Sequence, residues 1–210
     1  MGSRPNHAAL ILTTILAVAV CVPATARAQQ AATASQSAAT PAQKLELAGV
    51  PNSAQVNATL YRGGQPEKEG YAALKRLGIE IVVSFRDEKD KIEAERRIVE
   101  SLGMLYVSVP WRSSRDPESR EVAAFFQVLR DFAGRKVFAH CRRGADRTGV
   151  MIATYRIAFE NWTPEQALRE MEEFRFRGFW LPHLKEYIRN FPQELASHPE
   201  LRALQPARAH

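Results

Sequence analysis

The chain has little cysteine. Cys21 and Cys141 are the only thiols among 210 residues, and neither has a neighbouring cysteine. A disulfide-built scaffold needs more thiols, so packing must hold this fold together. Histidine, aspartate and glutamate also form no cluster at the spacing of metal ligands. The sequence therefore predicts no metal site and no cofactor.

A hydrophobic run long enough to cross a membrane is also missing. The N-terminal apolar segment, residues 8–22, falls short of the roughly 20 residues that a spanning helix needs. Arg4 precedes this segment, and a small-x-small motif at residues 26–28 follows it. The pattern predicts a signal peptide over residues 1–28, cleaved before Gln29, and a periplasmic or secreted protein with no stable membrane anchor. Lipid attachment at Cys21 is disfavoured, because the usual leucine is absent before it.

Strong charge of one sign is absent from the remaining chain. Loss of Arg4 and Arg27 with the signal lowers the formal net charge from +6 to +4, and no basic run remains. This balance favours anionic substrates weakly and gives no reason to expect nucleic acid as a partner. Residues 29–43 are uncharged and low in hydrophobic bulk, which predicts a flexible linker. We expect one domain over residues 44–197 and a C-terminal tail over residues 198–210.

Strand-like and helix-like segments alternate along the domain. Predicted strands cover residues 55–61, 79–85, 104–109 and 137–139, with a turn at residues 62–66. Predicted helices cover residues 67–77, 89–102, 117–132, 150–158 and 184–191, and another starts at a capping box of Thr163 and Gln166. The inner face of the 89–102 helix is expected to hold Ile92, Ile98, Val99 and Leu102. The alternation predicts an α/β fold of three layers, with helices flanking a central, largely parallel sheet.

Residues 136–149 organise the chain: a buried strand, a tight loop and the start of a helix. Loop N–H groups and a helix N-terminus form a natural anion site, and such surroundings favour a thiolate at Cys141. Arg147 can bind two phosphoryl oxygens at once, and Thr148 can donate its hydroxyl to the sulfur. Gly144 and Gly149 allow close approach of backbone and close helix packing.

This stretch resembles the signature loop of the cysteine-dependent protein tyrosine and dual-specificity phosphatases, on residues 140–149, His-Cys-Arg-Arg-Gly-Ala-Asp-Arg-Thr-Gly. Residues 60–66, 77–79 and 84–86 are similar to the entry of the atypical dual-specificity phosphatases, which include many bacterial proteins. The resemblance implies a phosphoric monoester hydrolase with a phosphocysteine intermediate. The loop residues that would bind the substrate are Arg142, Arg143, Gly144, Ala145, Asp146 and Gly149.

Other interpretations of the loop are weaker or stay open. An inert buried cysteine, or a rhodanese-like sulfur carrier, would leave Arg147, Thr148 and Gly149 unexplained. A phosphate-recognising module that has lost turnover stays open, because it needs only a missing acid. The substrate also stays open, since the resemblance covers groups that act on phosphotyrosine or phosphoserine proteins, inositol phosphates and phosphoinositides.

The resemblance further implies a general acid from the loop before the helix that leads into the signature strand. Asp116 is the only carboxylate among residues 111–117, and its alternative role is the N-cap of that helix. Asp146 is the second candidate, because some related phosphoinositide phosphatases carry an aspartate there. Glu118 is a third.

Residues outside the loop have structural interpretations beside functional ones. His140 could orient the loop or be a satisfied core histidine. Arg62 and Arg86 could line the cleft, but pairing with Asp87 or Glu88 is the favoured interpretation. An aromatic patch is expected to form core and rim rather than a binding platform, and it consists of Phe174, Phe176, Phe179 and Trp180.

Overall fold

The computed structural model describes Gly2 and residues 40–205 of the chain. The rest of the predicted signal peptide, Cys21 included, most of the predicted linker and the last five residues lie outside this range. The strands are β1 Gln43–Lys44, β2 Ala54–Gln55, β3 Leu60–Gly64, β4 Ile81–Ser84, β5 Leu105–Ser108 and β6 Val137–Cys141. The helices are α1 Lys68–Arg76, α2 Lys89–Ser101, α3 Ser119–Asp131, α4 Asp146–Glu160, α5 Pro164–Glu173, α6 Pro182–Ser197 and α7 Pro199–Arg202.

The six strands form one sheet in the order β1-β2-β3-β6-β4-β5. β6 pairs in parallel with both β3 and β4, and β4 pairs in parallel with β5. Only the short β1 and β2 at one edge are antiparallel. The predicted α/β fold with a largely parallel sheet is therefore confirmed, and β6 is a central strand whose carboxyl end carries Cys141.

Two apolar clusters cover the two faces of the sheet, because successive strand residues point to opposite sides. In β6, Val137 and Ala139 join the larger cluster, and Phe138 joins the smaller one. The larger cluster packs α3 to α7 on one face, and the smaller cluster packs α1 and α2 on the other. These layers bury β6 completely and fix the position of the loop that follows it.

The predicted bounds around β3 were wrong, because residues 55–61 were expected to form one strand, whereas β2 ends at Gln55 and β3 begins at Leu60. Residues 62–64 were predicted as a turn, but they extend β3, and Gly64 lies opposite Cys141. The glycines suit this strand because a Cβ on Gly63 would lie 2.8 Å from Cζ of Phe138. Parallel pairing with β6 thus outweighs the turn preference of two consecutive glycines, and it brings β3 beside the loop.

The helices follow the predicted pattern with one correction on α2. Thr163 and Gln166 form the predicted capping box, with hydrogen bonds of 2.8 and 3.2 Å. In α2, Val99 is buried, but Ile98 is 39% exposed and Glu95 takes the inner position. A buried carboxylate on a helix cannot be inferred from apolar spacing, which assigns such residues to the solvent face.

The segment after residue 197 packs on the domain. Leu201 and Leu204 are buried in the larger cluster, although this segment was predicted as a tail without a clear pattern beyond a short helical turn. Among the described residues, no helix has the length and apolar character needed to cross a membrane.

Candidate active site

The signature loop joins β6 to α4. Cys141 ends β6 as a free thiol that is 4% exposed, and α4 begins at Asp146. Gly144 has a φ of +68°, a conformation that suits glycine. The loop opens into a cavity of about 500 Å³, which is lined by Glu88, Ser113, Cys141, Arg142, Arg143, Asp146, Arg147 and Arg177. The thiol therefore lies in a cavity whose lining holds four arginines.

Arg147 is held by one nitrogen only. Its Nη1 donates to the carbonyl oxygens of Phe85 at 3.0 Å and Trp111 at 3.1 Å, and to Oδ1 of Asp87 at 2.6 Å. Within residues 40–205, Nε and Nη2 make no hydrogen bond of their own. This arrangement fixes the guanidinium and leaves two parallel donors for the oxygens of a phosphoryl group.

Asp87, which the sequence did not assign to the site, lies at the centre of these contacts. It follows β4 and also accepts from Nε of Arg112 at 3.0 Å. Its neighbour Glu88 lines the cavity and pairs with Arg86, as predicted for one of these carboxylates. The hydrogen bond from Arg86 lowers the pKa of Glu88 to about 2, so Glu88 is ionised at neutral pH.

The Asp146 carboxylate bridges two arginines and is not a free acid. Its carboxylate accepts from Nη2 of Arg143 at 2.7 Å, and from the backbone N–H, Nε and Nη2 of Arg177. Burial would raise the pKa of Asp146, but the hydrogen bonds from Arg177 and Arg143 outweigh burial and hold this pKa below its ordinary value. An ionised Asp146 has no proton to donate, so its alternative assignment as general acid loses support.

Asp116 lies outside the cavity lining. It is exposed, and Ser113 is the residue of the same loop that lines the cavity. The N-cap of α3 is Glu118, which corrects the alternative role of Asp116 as that cap. The Asp116 carboxylate makes no hydrogen bond or ion pair with any residue from 40 to 205. Asp116 and Cys141 are therefore not brought together in this structure.

The Thr148 hydroxyl does not make the predicted hydrogen bond to the Cys141 sulfur in this structure. The Thr148 hydroxyl is fully buried one residue after Arg147 and has no hydrogen-bond partner in the described part of the chain. A buried unpaired hydroxyl is costly, which fits a donor kept for the sulfur or a phosphoryl oxygen. A Cβ on Gly149 would meet Met171 at 3.5 Å, an ordinary contact, so close helix packing does not require this glycine.

Asn52 and Arg62, which the sequence did not assign to the site, donate hydrogen bonds to carbonyl groups of the signature loop. Nδ2 of Asn52 donates to the carbonyls of Arg143, Gly144 and Phe174 at 3.0 to 3.3 Å. Arg62 is fully buried, and its Nη2 donates to the Gly144 carbonyl at 2.8 Å. Burial lowers the pKa of Arg62 to about 10, which leaves it protonated at neutral pH. Arg62 thus places a buried cation under the loop instead of pairing with Asp87 or Glu88.

His140 belongs to a buried polar network behind the loop. Its Nε2 lies 3.0 Å from Oε1 of Glu95, which is an ion-pair distance without the alignment of a hydrogen bond. Glu95 also accepts from the Tyr71 hydroxyl at 2.9 Å and from Nε2 of Gln65 at 2.7 Å. This network ties β6 to α1 and α2, and Nδ1 of His140 lies 3.4 Å from the carbonyl oxygen of Cys141, so His140 contacts both the core network and the start of the loop.

Comparison with known proteins agrees with this geometry. A family model described as "DSP-PTPase phosphatase fused to NAD+ Kinase" matches residues 33–182. The chain belongs to this phosphatase family. The predicted relation to the cysteine-dependent protein tyrosine and dual-specificity phosphatases, of the bacterial atypical kind, is thereby confirmed.

Curated relatives share part of the domain. The dual specificity protein phosphatase TpbA of Pseudomonas aeruginosa is 30% identical over 125 residues, which are 58% of this chain and 54% of that protein. Phosphatidylglycerophosphatase and protein-tyrosine phosphatase 1 of Rattus norvegicus is 33% identical over 64 residues, which are 30% of this chain and 33% of that protein. The chain therefore spans about half, or less, of the length of these relatives.

Solved structures with the same fold superpose on the domain. A crystal structure of P. aeruginosa TpbA is 27% identical, has a TM-score of 0.62 and is matched over 77% of this chain and 99% of that chain. The core catalytic domain of the PP-IP phosphatase SIW14 of S. cerevisiae is 19% identical, with a TM-score of 0.59 over 72% of this chain and 95% of that chain. The second likeness concerns the fold.

Proposed function

We propose that this protein is a cysteine-dependent phosphoric monoester hydrolase of the dual-specificity type. The proposal rests on one observation above all: the free thiol of Cys141 lies in a cavity with Arg147, whose guanidinium is held through Nη1 alone. Crystals of the relative TpbA include a complex with phosphotyrosine, which supports a phosphomonoester as the substrate class. The proposed substrates are phosphorylated proteins, phosphoinositides or inositol phosphates.

The proposed reaction has two displacements at phosphorus. In the first, the Cys141 thiolate forms a sulfur–phosphorus bond while the phosphorus–oxygen bond to the leaving group breaks and that oxygen takes a proton. In the second, water attacks the phosphocysteine and releases inorganic phosphate and the thiolate. Arg147 and the loop N–H groups bind the phosphoryl oxygens in both steps, and Thr148 donates to the departing sulfur.

We propose Asp116 as the source of the leaving-group proton. Asp87, Glu88 and Asp146 are each bonded to an arginine, whereas the Asp116 carboxylate has no such partner among the described residues. Proton donation requires residues 112–117 to move towards the cavity, which Ser113 of the same loop already lines. Catalytic contacts of this kind often tighten only when substrate is bound.

The compartment is also a proposal. A cleaved signal over residues 1–28 would make the protein periplasmic or secreted and leave Cys141 as its only thiol. No cofactor takes part in the proposed reaction.

A Cys141→Ser variant tests the function. We expect p-nitrophenyl phosphate hydrolysis to fall to background, because a serine hydroxyl is a poor nucleophile without an adjacent base. The same variant should keep its thermal midpoint and bind vanadate or phosphate, since Arg147 and the loop amides remain. Turnover near the wild-type rate in this variant would refute the cysteine mechanism. Wild-type protein that binds phosphate but never turns over would instead support the binding-module alternative.

A further inference from the structure

The turn between α5 and α6 exposes two large aromatic side chains. Phe179 is 86% exposed and Trp180 is 74% exposed, and their rings meet edge to face at 5.2 Å. The other exposed large hydrophobic residues in the described range, Ile98 and Leu105, are each 39% exposed. Since apolar rings gain by leaving water, such a protruding pair needs an explanation beyond the core and rim expected from the sequence.

The aromatic turn is preformed and fixed beside the cavity. The N–H groups of Trp180 and Leu181 donate to the carbonyl of Arg177 at 2.9 and 3.1 Å. Arg177 lines the cavity, and Asp146 of the signature loop holds it through both its backbone and its guanidinium. The two rings therefore belong to a hydrogen-bonded turn that also carries Arg177, a residue of the cavity lining.

Exposed arginines lie in the same turn as the pair, at Arg175 and Arg177, and in the signature loop, at Arg142 and Arg143. Arg142 and Arg143 line the catalytic cavity and also a second cavity of about 600 Å³, where Arg175 joins them. No carboxylate lines the second cavity. Within residues 40–205, Arg142 and Arg175 have no ion pair, while Arg143 and Arg177 share Asp146. Arg142 and Arg175 thus carry positive charge that no carboxylate of the described residues pairs with, although Glu88 and Asp146 line the catalytic cavity.

We propose that this face docks on an anionic phospholipid surface, with Phe179 and Trp180 entering the interface. Aromatic rings partition into the headgroup region of a bilayer, and arginines are attracted to acidic lipids. A protruding pair suits insertion into a soft layer, whereas recognition of a peptide uses a groove or a strand edge. Docking by this turn would place the mouth of the catalytic cavity at the headgroup layer.

The intrinsic fluorescence of the protein offers a direct test. Trp111 and Trp162 are 1% and 7% exposed, so a change on mixing with vesicles reports Trp180. We expect a blue shift with vesicles of phosphatidylcholine and phosphatidylglycerol, and a smaller shift with phosphatidylcholine alone. The shift should weaken as salt rises, because exposed charges are screened.

Sedimentation with the same vesicles tests the residues. A Phe179→Ser, Trp180→Ser double variant should bind anionic vesicles roughly tenfold more weakly or worse, the factor that about 1.4 kcal/mol of lost apolar burial gives. An Ile98→Ser variant is the matched control and should bind like the wild type. All variants carry the same N-terminus, so any contribution of residues 8–22 is common to them.

Opposite results would refute the docking surface. The proposal fails if the wild-type protein does not bind anionic vesicles, or if the double variant binds them as tightly as the wild type does. A double variant with a raised KM for a phosphopeptide and unchanged vesicle binding would assign the pair to peptide recognition and would equally refute the proposal. Vesicle binding needs no turnover, so its outcome is independent of p-nitrophenyl phosphate hydrolysis, which tests the proposed function and should be unchanged in the double variant.

Discussion

Single carboxylates around the cavity differ in whether they can carry a proton. Glu88 and Asp146 are held as anions by arginines, and the pKa of each lies below its ordinary value. Asp87 accepts a hydrogen bond of 2.6 Å from Arg147 and holds its guanidinium in place. The Asp116 carboxylate has no arginine partner in the described structure and the residue is exposed, so a leaving-group test can isolate its role.

An Asp116→Asn variant should lose at least tenfold more activity on an alkyl phosphate than on p-nitrophenyl phosphate. The p-nitrophenolate leaves without a proton, whereas an alkoxide needs one, and acid catalysis contributes about 10²–10⁴-fold. The measurement is kcat/KM on both substrates over a range of pH. An Asp90→Asn variant, at an exposed position in α2, is the control and should affect neither substrate. Equal losses on both substrates in Asp116→Asn would remove Asp116 from the acid role.

The sequence revealed only those site residues that lie in one segment. Cys141, Arg147 and Thr148 are close in the chain, so their spacing carries the chemistry. Asn52 and Asp87 act on the same loop from positions 91 and 60 residues away from their partners Arg143 and Arg147. Nothing in the local pattern around an asparagine or an aspartate distinguishes such a long-range contact from a solvated side chain.

Among the elements, β3 and the signature loop are in direct backbone contact. A Cβ on Gly144 would lie 2.3 Å from the carbonyl carbon of Gly63 and 2.5 Å from the N of Gly64. Because backbone atoms of a paired strand cannot move aside cheaply, only glycine fits this point of the loop. Gly144 therefore sets the distance between β3 and the loop that carries Cys141.

A Gly144→Ala variant should lose phosphatase activity and vanadate binding and should unfold at lower urea. A non-glycine residue at positive φ costs about 1–3 kcal/mol, and the collision with β3 adds to this cost. Gly134→Ala is a matched control, because Gly134 also has positive φ, +85°, but open space around its Cβ position. Similar losses in both variants would show that backbone strain alone, without contact to β3, explains the effect.

α2 is connected to β6 through the pair of Glu95 and His140. Burial would raise the pKa of Glu95, but His140, Tyr71 and Gln65 outweigh burial and hold this pKa below its ordinary value. A carboxylate with a lowered pKa stabilises the fold above its unfolded value, about 4.3 for glutamate, and this stabilisation is lost as pH falls through the folded value. The network should therefore contribute at neutral pH and fade in acid.

A Glu95→Gln variant should be about 1–3 kcal/mol less stable than the wild type at neutral pH, the cost of leaving buried donors such as the Tyr71 hydroxyl without the carboxylate that accepts from them. The difference should shrink as pH falls from about 4.3 to the lower folded pKa of Glu95, because the unfolded chain then binds a proton that the folded carboxylate does not. Urea unfolding at a series of pH values measures this. Glu100→Gln, at an exposed position of the same helix, is the control, and its free energy of unfolding should change with pH as that of the wild type does. If the free energy of unfolding of Glu95→Gln stayed below that of the wild type by the same amount throughout the acid range, the ionised Glu95 would not be the source of the stabilisation.

The sequence predicted most helices and strands, but it missed features that depend on contacts between them. The alternation of apolar runs located β4, β5 and the helices, because periodic burial is a local property. The inner position of Glu95 and the extension of β3 through Gly64 were missed. Both depend on partners in other elements, the imidazole of His140 for Glu95 and the β6 strand for Gly64.

At the scale of the whole molecule, the chemistry of the thiol depends on the compartment. Within residues 40–205 Cys141 is the only cysteine, and it is free. Cleavage of the predicted signal would remove Cys21 and leave no second thiol for an internal disulfide. An exported enzyme would then work in an oxidising compartment with an unprotected nucleophile, and a thiolate in that state oxidises first to a sulfenic acid that added thiols can reverse.

Export itself can be tested on the full chain expressed in a bacterial host. We expect the protein in the periplasmic or extracellular fraction, with Gln29 as its N-terminal residue by sequencing. An Ala28→Arg variant should block processing, because the peptidase requires a small residue before the cut, and should keep the N-terminus of the unprocessed chain. A cytoplasmic marker enzyme controls for lysis. Wild-type protein whose N-terminal sequence still includes residues 8–22 would contradict the cleaved signal, and Cys21 would then stay in the chain as a second thiol for Cys141 to pair with.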